Sequence, residues 1–291
     1  VGCRPVEVPG ATEPMPQAAP VAAAGDGAQA GAVPDAQSPL SVPDGDPAVI
    51  AEDVTFASGS DEIMGYLARP ATEGVYPVIL VSHENRGLTP HIEDVARRFA
   101  KAGYLAIAPE LFERQGDAQS YGEMAKLMAE VIAKVPDAQV MGDLDACVKW
   151  AAAHGGDAKK LAVTGFCWGG RQAWLFAAHN RSVKAGVAWY GRLVGAQNEL
   201  TPKNPIDIAS SLAGPVLGLY GGADTGIPVD SIEKMKAALA GGSAAAKASK
   251  FVVYPEADHA FHADYRPSYR KEAADDGWKR ALEWFKANGV A

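Results

Sequence analysis

One short segment of the chain has the residue types and spacing of a nucleophilic centre. Cys167 stands between Gly165 and Gly169 in the sequence Gly-Phe-Cys-Trp-Gly, after an apolar run and before a helical pattern. This order predicts a strand, a sharp turn and a helix, which together form a nucleophile elbow with cysteine where serine usually stands. Glycine is expected on each side because a Cβ would keep the strand and the helix apart. The helix N-terminus behind the cysteine would favour a thiolate and, later, an oxyanion.

Two further residues follow in the order that a triad built on such an elbow requires. Asp224 ends the sequence Tyr-Gly-Gly-Ala-Asp, and His259 follows the next apolar run. A histidine near Cys167 would take the thiol proton, and a carboxylate would fix the imidazole tautomer and stabilise its charge. Asp258 is not the expected acid, because a residue adjacent in sequence usually points away, and Glu256 is a weaker alternative.

The elbow also predicts an oxyanion hole made of two backbone N–H groups. One belongs to the residue after the nucleophile, Trp168, and the other to the loop after the third strand. That loop has the sequence Ser-His-Glu-Asn-Arg-Gly over residues 82–87, and its charged tip would lie above the pocket. The alternative is a solvated loop in which Glu84 and Arg86 pair with each other.

Strands and helices alternate along the rest of the chain, which is typical of a doubly wound, mostly parallel α/β sheet of about eight strands. Ligands of such sheets bind beyond the carboxyl ends of the strands, where all of these residues fall. Residues 191–214 are too few for a large cap domain. The predicted strands are 52–57, 62–68, 77–81, 104–108, 161–164, 183–190, 216–220 and 251–254. The predicted helices are 92–102, 121–135, 138–153, 170–177, 231–240 and 272–287.

The composition excludes several classes of partner. The 291 residues carry a net charge of −8 without a basic cluster, so nucleic acid and anionic membranes are poor partners. No apolar run approaches the roughly 20 residues of a membrane helix. The three cysteines are too widely spaced for a disulfide framework or a zinc site, and Cys147 is interpreted as a buried apolar residue. His262 follows His259 at a spacing that could suit a metal, but no third ligand accompanies them, and no metal or cofactor is expected.

The pattern divides the chain into residues 1–48, an Ala/Pro/Gly-rich arm or linker, and residues 49–291, a catalytic domain. The arm could mediate a homodimer. The sequence begins with Val1 and a segment of small residues, which favours an exported, periplasmic protein after signal removal, with a cytoplasmic one as the alternative. Gly2-Cys3 would be the remnant of a lipid-attachment site.

The motifs Gly-Phe-Cys-Trp-Gly-Gly, His-Glu-Asn-Arg-Gly, Gly-Gly-Ala-Asp and Ala-Asp-His-Ala-Phe-His together resemble the dienelactone hydrolase family, over about residues 50–288. The resemblance implies an α/β-hydrolase fold and a triad of Cys167, Asp224 and His259. It also implies that Glu84 contacts the thiol in the resting enzyme and is displaced by substrate. By the same match, Asn85 supplies the second N–H of the oxyanion hole.

One feature of the family has no clear counterpart here. Dienelactone hydrolases hold the substrate carboxylate with two arginines, one of them four residues after the histidine, where this chain has Ala263. Arg86, Arg114 or Arg266 could recreate such a clamp, or could form surface ion pairs instead. The aromatic residues near the strand ends could line the pocket or belong to the core: Tyr121, Trp168, Trp189, Tyr190 and Phe261.

The function expected from these residues is hydrolysis of a small carboxylic ester or lactone through a thioester on Cys167. An esterase for larger acyl or aromatic esters is the alternative within the same class. A thiol redox protein would need a resolving thiol, for which Cys147 is poorly placed. A non-catalytic binding protein on a hydrolase fold is the third possibility, and the complete triad argues against it.

Overall fold

The computed structural model describes residues 35–291, and the N-terminal 34 residues, with Gly2-Cys3 among them, lie outside this range. Eight strands form one sheet in the order β1-β2-β4-β3-β5-β6-β7-β8. β1 and β2 form an antiparallel hairpin, β2 pairs antiparallel with β4, and all other pairs are parallel. The strands are β1 Val49–Ser58, β2 Asp61–Pro70, β3 Tyr76–Ser82, β4 Leu105–Pro109, β5 Gly156–Phe166, β6 Val183–Trp189, β7 Val216–Gly221 and β8 Lys250–Tyr254.

Helices connect the parallel strands and cover the sheet on both faces. Val78, Ile79, Leu80 and Val81 of β3 are consecutive and all 0% exposed, which requires cover on both sides because alternate side chains point to opposite faces. The α-helices are α1 Pro90–Lys101, α2 Met124–Glu130, α3 Asp137–Ala153, α4 Trp168–His179, α5 Pro205–Ile208, α6 Val229–Ala240, α7 Ala244–Ala248 and α8 Lys271–Ala287. Within residues 35–291, no helix has the length and apolarity needed to span a membrane.

The expected fold is confirmed: this is an α/β-hydrolase sheet, and no large cap domain is present in the described part of the chain. The parallel strands β3, β5, β6, β7 and β8 end at one edge of the sheet. Each of the predicted catalytic and oxyanion residues lies in a loop or helix start directly after one of these strands. The topology therefore collects them along a single edge.

The prediction of a single helix over residues 121–135 is wrong in its extent. α2 stops at Glu130, the backbone at Val131 departs from helical geometry (φ −119°, ψ −67°), and a 3-10 helix covers Ile132–Lys134. Two adjacent β-branched residues at this point weaken the helix, and Pro136 stops its continuation. Met128 and Ile132 lie on either side of this break, and both line the same cavity.

Residues 35–48, which the sequence assigns to the arm, run along the body and close over a buried group of charges. Asp264 accepts hydrogen bonds from the backbone N–H of Gln37 at 3.1 Å and Ser38 at 2.9 Å, and from Arg98 at 3.0 Å. Arg98 is also paired with Asp94, whose other oxygen accepts from the Val42 N–H at 2.7 Å.

The same group of charges holds the loop that follows His259. Asp264 is 0% exposed, and its Oδ1 lies 3.2 Å from His91 Nδ1. Burial alone would raise the pKa of this carboxyl, but the His91 hydrogen bond and the Arg98 charge outweigh burial and hold the pKa well below its usual range. Asp264 is therefore ionised at neutral pH and ties the loop to α1.

We expect Asp264→Ala to lower the free energy of unfolding by about 3–5 kcal/mol, because it leaves the Arg98 charge buried without this partner. Urea denaturation followed by circular dichroism measures the change. Asp230→Ala is the matched control, since Asp230 forms an exposed i,i+4 pair with Lys234 and should cost less than about 0.5 kcal/mol. Equal losses in the two variants would contradict a structural role for the buried group of charges.

Candidate active site

Cys167 lies on a sharp turn between β5 and α4, with a backbone conformation that L-residues rarely adopt (φ 56°, ψ −117°). Its N–H donates to the Trp189 carbonyl at 3.0 Å, which anchors the turn to β6. The flanking glycines allow this close approach. A Cβ on Gly165 would lie 2.0 Å from the Gly169 carbonyl oxygen, and one on Gly169 would lie 2.2 Å from the Ser82 carbonyl oxygen. The elbow therefore tolerates no side chain at either position.

The structure brings the three residues of the expected triad together. His259 Nε2 lies 3.1 Å from Cys167 Sγ, and His259 Nδ1 lies 2.7 Å from Asp224 Oδ2. Asp224 follows β7 and is 5% exposed, while His259 follows β8. The other oxygen of Asp224 accepts from the Gly226 N–H at 2.9 Å, so the carboxylate is held on both sides. Among the described residues, Asp258 accepts a hydrogen bond only from the His259 backbone N–H.

The surroundings of His259 favour its protonated form. Burial would lower the pKa of the ring, but the hydrogen bonds to Asp224 and Cys167 and the charges of both outweigh burial and raise the pKa to about 10. The pKa of the Asp224 carboxyl shifts in the opposite direction. Burial would raise its pKa, but the hydrogen bond and charge of His259 outweigh burial and lower it. At neutral pH the pair is therefore an imidazolium next to a carboxylate.

Two backbone N–H groups are free to bind an oxyanion near the thiol. Trp168 is the first residue of α4, and Asn85 lies in the loop after β3. Neither N–H has a backbone acceptor within the described range. Both residues line the same cavity as Cys167, as the elbow and the family resemblance imply.

Glu84 is fully buried next to this site, and Tyr265 and Arg266 are its partners. Its Oε2 accepts a hydrogen bond from the Tyr265 hydroxyl at 2.8 Å and lies 3.4 Å from Arg266 Nη2. Its Oε1 has no hydrogen-bond partner in the described structure. The thiol contact that the resemblance implies for Glu84 is absent from this arrangement, because the thiol is paired with His259 and the carboxylate with Arg266.

A cavity of about 630 Å³ opens above the thiol. One wall is apolar and comes from α2 and the 3-10 helix that follows it, namely Met128, Ile132 and Ala133. The lining also contains polar residues, among them two arginines. The remaining lining residues are Asn85, Cys167, Trp168, Arg171, Tyr190, Arg192, Gly195, Ala196, Asn198, Thr201, Asn204, Asp224, Thr225, Gly226, Ile227, Asp258 and His259.

Among the aromatic residues expected to line the pocket, Trp168 and Tyr190 do so. Tyr190 has a positive φ of 38°, its ring centroid lies 5.1 Å from that of His259, and its hydroxyl has no partner in the described residues. Trp189 and Phe261 are 0% exposed and pack in the core, which confirms the alternative interpretation for both. Their rings contact each other, with centroids 6.1 Å apart.

Tyr121 and the three candidate arginines lie outside the cavity. The hydroxyl of Tyr121 donates to Glu130 at 3.0 Å, and its carbonyl accepts from Arg86 at 3.0 Å, so Arg86 does not pair with Glu84. Arg266 forms an ion pair with Glu84. These positions do not support the expected contacts with a substrate, because each side chain already has a polar partner elsewhere.

Arg114 lies at the far end of the β1–β2 hairpin. Its guanidinium donates to Asp61 at 2.6 Å and to both oxygens of Asp143 at 2.7 and 3.0 Å. Asp143 is almost fully buried, so the arginine neutralises it and joins the hairpin to α3. The expectation that Arg114 binds substrate is wrong because this structural ion pair uses its donors.

Two arginines that line the cavity were not predicted from the sequence. Arg171 stands four residues after Cys167, which is one turn further along α4, and both of its terminal nitrogens bind Asp137, at 2.7 and 2.8 Å. Arg192 follows β6 by three residues, is exposed, and forms no ion pair with any described residue. Helical spacing from Cys167 and position after a strand end were the signals that could have found them. In residues 35–291 no group of three His, Cys, Asp or Glu side chains is placed to hold a metal ion.

Comparison with known proteins places these features in one family. The dienelactone hydrolase family matches residues 63–289. A protein of Methylorubrum extorquens named "Putative carboxymethylenebutenolidase" is 57% identical over 244 residues, which is 84% of this chain and 83% of that protein. A Yersinia pestis protein of the same name is 55% identical over 240 residues, 82% of this chain and 89% of its own.

A solved structure agrees with the sequence relatives. The crystal structure of a "Putative Dienelactone Hydrolase" from Klebsiella pneumoniae superposes with a TM-score of 0.80 at 53% identity. The match covers 82% of this chain and 99% of that one. The family match over residues 63–289 spans the positions of the site described above.

The pKa of His259 provides a direct test of the site. We expect Asp224→Asn to lower it from about 10 by one to three pH units, because the variant removes a charge and a charge-assisted hydrogen bond that favour the imidazolium. NMR titration of the His259 ring measures the change. The ring should lose its proton at lower pH in the variant than in the wild type.

Asp258→Asn is the matched control for this titration. It removes the same charge from a carboxylate that contacts the His259 backbone but not the ring. The pKa of His259 should change little. A decrease as large as that in Asp224→Asn would contradict the assignment of Asp224 as the ring's partner.

Proposed function

This chain belongs to the dienelactone hydrolase family of hydrolases, and we propose that it cleaves a carboxylic ester or lactone through a thioester on Cys167. The observation that carries the proposal is the continuous line of hydrogen bonds from Asp224 through His259 to the thiol. A nucleophile, a base and a carboxylate in this geometry are the requirements of covalent acyl transfer. The cavity above the thiol provides room for a small substrate.

The first step is attack of the Cys167 thiolate on the substrate carbonyl carbon. His259 holds the proton that the thiol has lost, and Asp224 stabilises the resulting imidazolium. The carbonyl π electrons move to oxygen as the C–S bond forms. Trp168 N–H and Asn85 N–H are placed to donate to that oxygen, and the N-terminal end of α4 adds its positive dipole.

The second step breaks the C–O bond, and the protonated Nε2 of His259 gives its proton to the leaving oxygen. A lactone would open at this point, so its alcohol would stay joined to the acyl group. The neutral His259 then takes a proton from water as the water attacks the thioester. The C–S bond breaks, the carboxylic acid leaves, and the thiolate and the imidazolium pair again.

The position of Glu84 fits a site ready for this reaction. The family resemblance implies that the thiol becomes paired with histidine once this glutamate is displaced. Here the thiol–histidine hydrogen bond is formed, and Glu84 is paired with Tyr265 and Arg266. This arrangement corresponds to the displaced state, in which the carboxylate does not compete for the thiol.

A substrate with a carboxylate is the candidate that the cavity favours. The relatives' printed name, carboxymethylenebutenolidase, is that of an enzyme for a lactone with a carboxyl group. Among the described lining residues, Arg192 is the exposed cation without an ion-pair partner, whereas Arg171 is paired with Asp137. An arginine at the rim can bind such a carboxylate with two parallel hydrogen bonds.

A larger acyl or aromatic ester is the second candidate, favoured by the apolar wall of Met128, Ile132 and Ala133. The redox alternative has less support. Cys147 is 0% exposed within α3, and burial raises the pKa of its thiol well above the ordinary value. A buried thiol of that kind is a poor resolving partner for Cys167.

Cys167→Ala should abolish turnover of a panel of p-nitrophenyl esters, simple lactones and dienelactones, with a loss of at least about a thousandfold. Cys147→Ala is the control and should retain turnover, because that thiol is buried away from the cavity. Rapid-quench mass spectrometry tests the intermediate. An ester should add only its acyl group to Cys167, whereas a lactone should add its whole mass. Unchanged turnover in Cys167→Ala would exclude the thioester mechanism.

Arg192→Gln should raise KM for a lactone that carries a carboxylate by about five- to tenfold, and should leave its neutral methyl ester unaffected, because a rim ion pair contributes about 1 kcal/mol. Arg181→Gln is the matched control, since Arg181 is also exposed but precedes β6 at the opposite edge of the sheet. Equal effects on the charged and the neutral substrate would contradict a role for Arg192 in carboxylate binding.

A further inference from the structure

His83 is a fully buried histidine that neither touches the thiol nor lines the cavity. It directly precedes Glu84 and Asn85, and its Nδ1 lies 2.7 Å from the Glu84 carbonyl oxygen. A carbonyl only accepts hydrogen bonds, so Nδ1 is the donor and carries the proton. The Glu84 carbonyl and the Asn85 N–H belong to one planar peptide unit. Holding the oxygen of that unit therefore fixes the direction of its N–H and polarises it.

The second ring nitrogen prevents the histidine from turning. Nε2 lies 3.0 Å from the Leu111 backbone nitrogen, whose N–H donates to it, and 3.2 Å from Glu110 Oε1. The Leu111 contact requires Nε2 without a proton, and the Glu110 contact requires Nε2 with one. Nδ1 carries a proton in either form of the ring. Glu110 also accepts from the Leu88 N–H at 2.8 Å, which ties the same loop to the end of β4.

The face of the ring contacts the residue that carries the other oxyanion donor. The rings of His83 and Trp168 are stacked, with centroids 5.5 Å apart and an interplanar angle of 17°. Phe112 packs edge-on against both, at 4.6 Å from each centroid. Gly169 lies so close to the carbonyls of Ser82 and His83 that a Cβ there would lie 2.2 and 2.4 Å from them. One ring therefore joins the two backbone segments of the oxyanion hole.

We propose that His83 is a positioning residue for the oxyanion hole. It orients the Asn85 N–H through the Glu84 carbonyl and holds Trp168 by stacking, so that both N–H groups point at one oxygen. The inference rests on the proposed function, because it concerns the step in which charge develops on the substrate oxygen. His83 acts through these groups and makes no contact with substrate.

The test is the isosteric pair His83→Asn and His83→Leu. Both variants lose the ring and its stacking, but only asparagine keeps a side-chain donor within reach of the Glu84 carbonyl. The other donor to that carbonyl, the Gly87 N–H at 3.3 Å, is present in both variants. We expect kcat to fall in His83→Leu, and to remain about tenfold higher in His83→Asn, with KM similar in both. A fall in kcat without a change in KM separates positioning of the oxyanion donors from a general loss of packing.

The rate of Cys167 alkylation by iodoacetamide is a second measurement, because that reaction needs the thiolate but no oxyanion hole. The alkylation rate should be the same in wild type, His83→Asn and His83→Leu. Phe112→Leu is the packing control: it disturbs the same aromatic contacts but leaves the Glu84 carbonyl bonded, so kcat should stay within about threefold of wild type. If the variants with smaller side chains do not fold, His83→Phe takes their place, because it keeps the aromatic volume without a donor. Its kcat should then fall below that of the wild type with KM unchanged.

Equal kcat in His83→Asn and His83→Leu would overturn the proposal, as would an equal fall in Phe112→Leu and His83→Leu. These outcomes are distinct from failure of the proposed function. If Cys167→Ala is inactive and the two isosteric variants turn over equally, the thioester mechanism stands and the role of His83 is rejected. If Cys167→Ala remains active, the mechanism itself is rejected.

Discussion

The close contact between the start of α4 and the ends of β3 and β5 is the constraint on which the site depends. Gly165 and Gly169 leave no space for a Cβ, so the chain must turn within one residue. That residue is Cys167, which takes a positive φ and projects its thiol beyond the sheet edge. The same contact places the N-terminal N–H groups of α4 next to the loop after β3. The proposed nucleophile and both proposed oxyanion donors are thus results of one packing arrangement.

Charges buried under the site hold the remaining parts in place. Asp264 ties the loop after His259 to Arg98 of α1 and to the backbone of residues 37 and 38. Two residues further on, Arg266 pairs with Glu84 and keeps that carboxylate away from the thiol. An unpaired carboxylate next to Cys167 would oppose the thiolate through like-charge repulsion. The loop therefore positions the histidine and removes a competing charge at the same time.

The cavity combines features that suit different parts of one substrate. The lining combines an apolar wall formed by α2 and the following 3-10 helix with the exposed Arg192. The wall spans the break at Val131, with Met128 before the break and Ile132 after it. Part of the cavity lining thus comes from α2 and the 3-10 helix, while the proposed reacting groups follow the ends of the sheet strands. Such a division allows related chains to share chemistry and differ in substrate.

The sequence alone determined the fold class, the elbow and the order of Cys167, Asp224 and His259, because these depend on local patterns: apolar runs, glycines at fixed spacing and positions after strand ends. It misplaced Arg114 and Tyr121, and it missed Arg171, Arg192 and the linking position of His83. Whether an arginine faces substrate or a buried aspartate depends on which groups the folded chain brings beside it. Arg114 meets Asp143 from a segment 29 residues away, and Arg266 meets Glu84 across 182 residues. Only the tertiary structure decides such pairings, because ion pairs and stacking act over a few ångströms in space and leave no periodic trace along the chain.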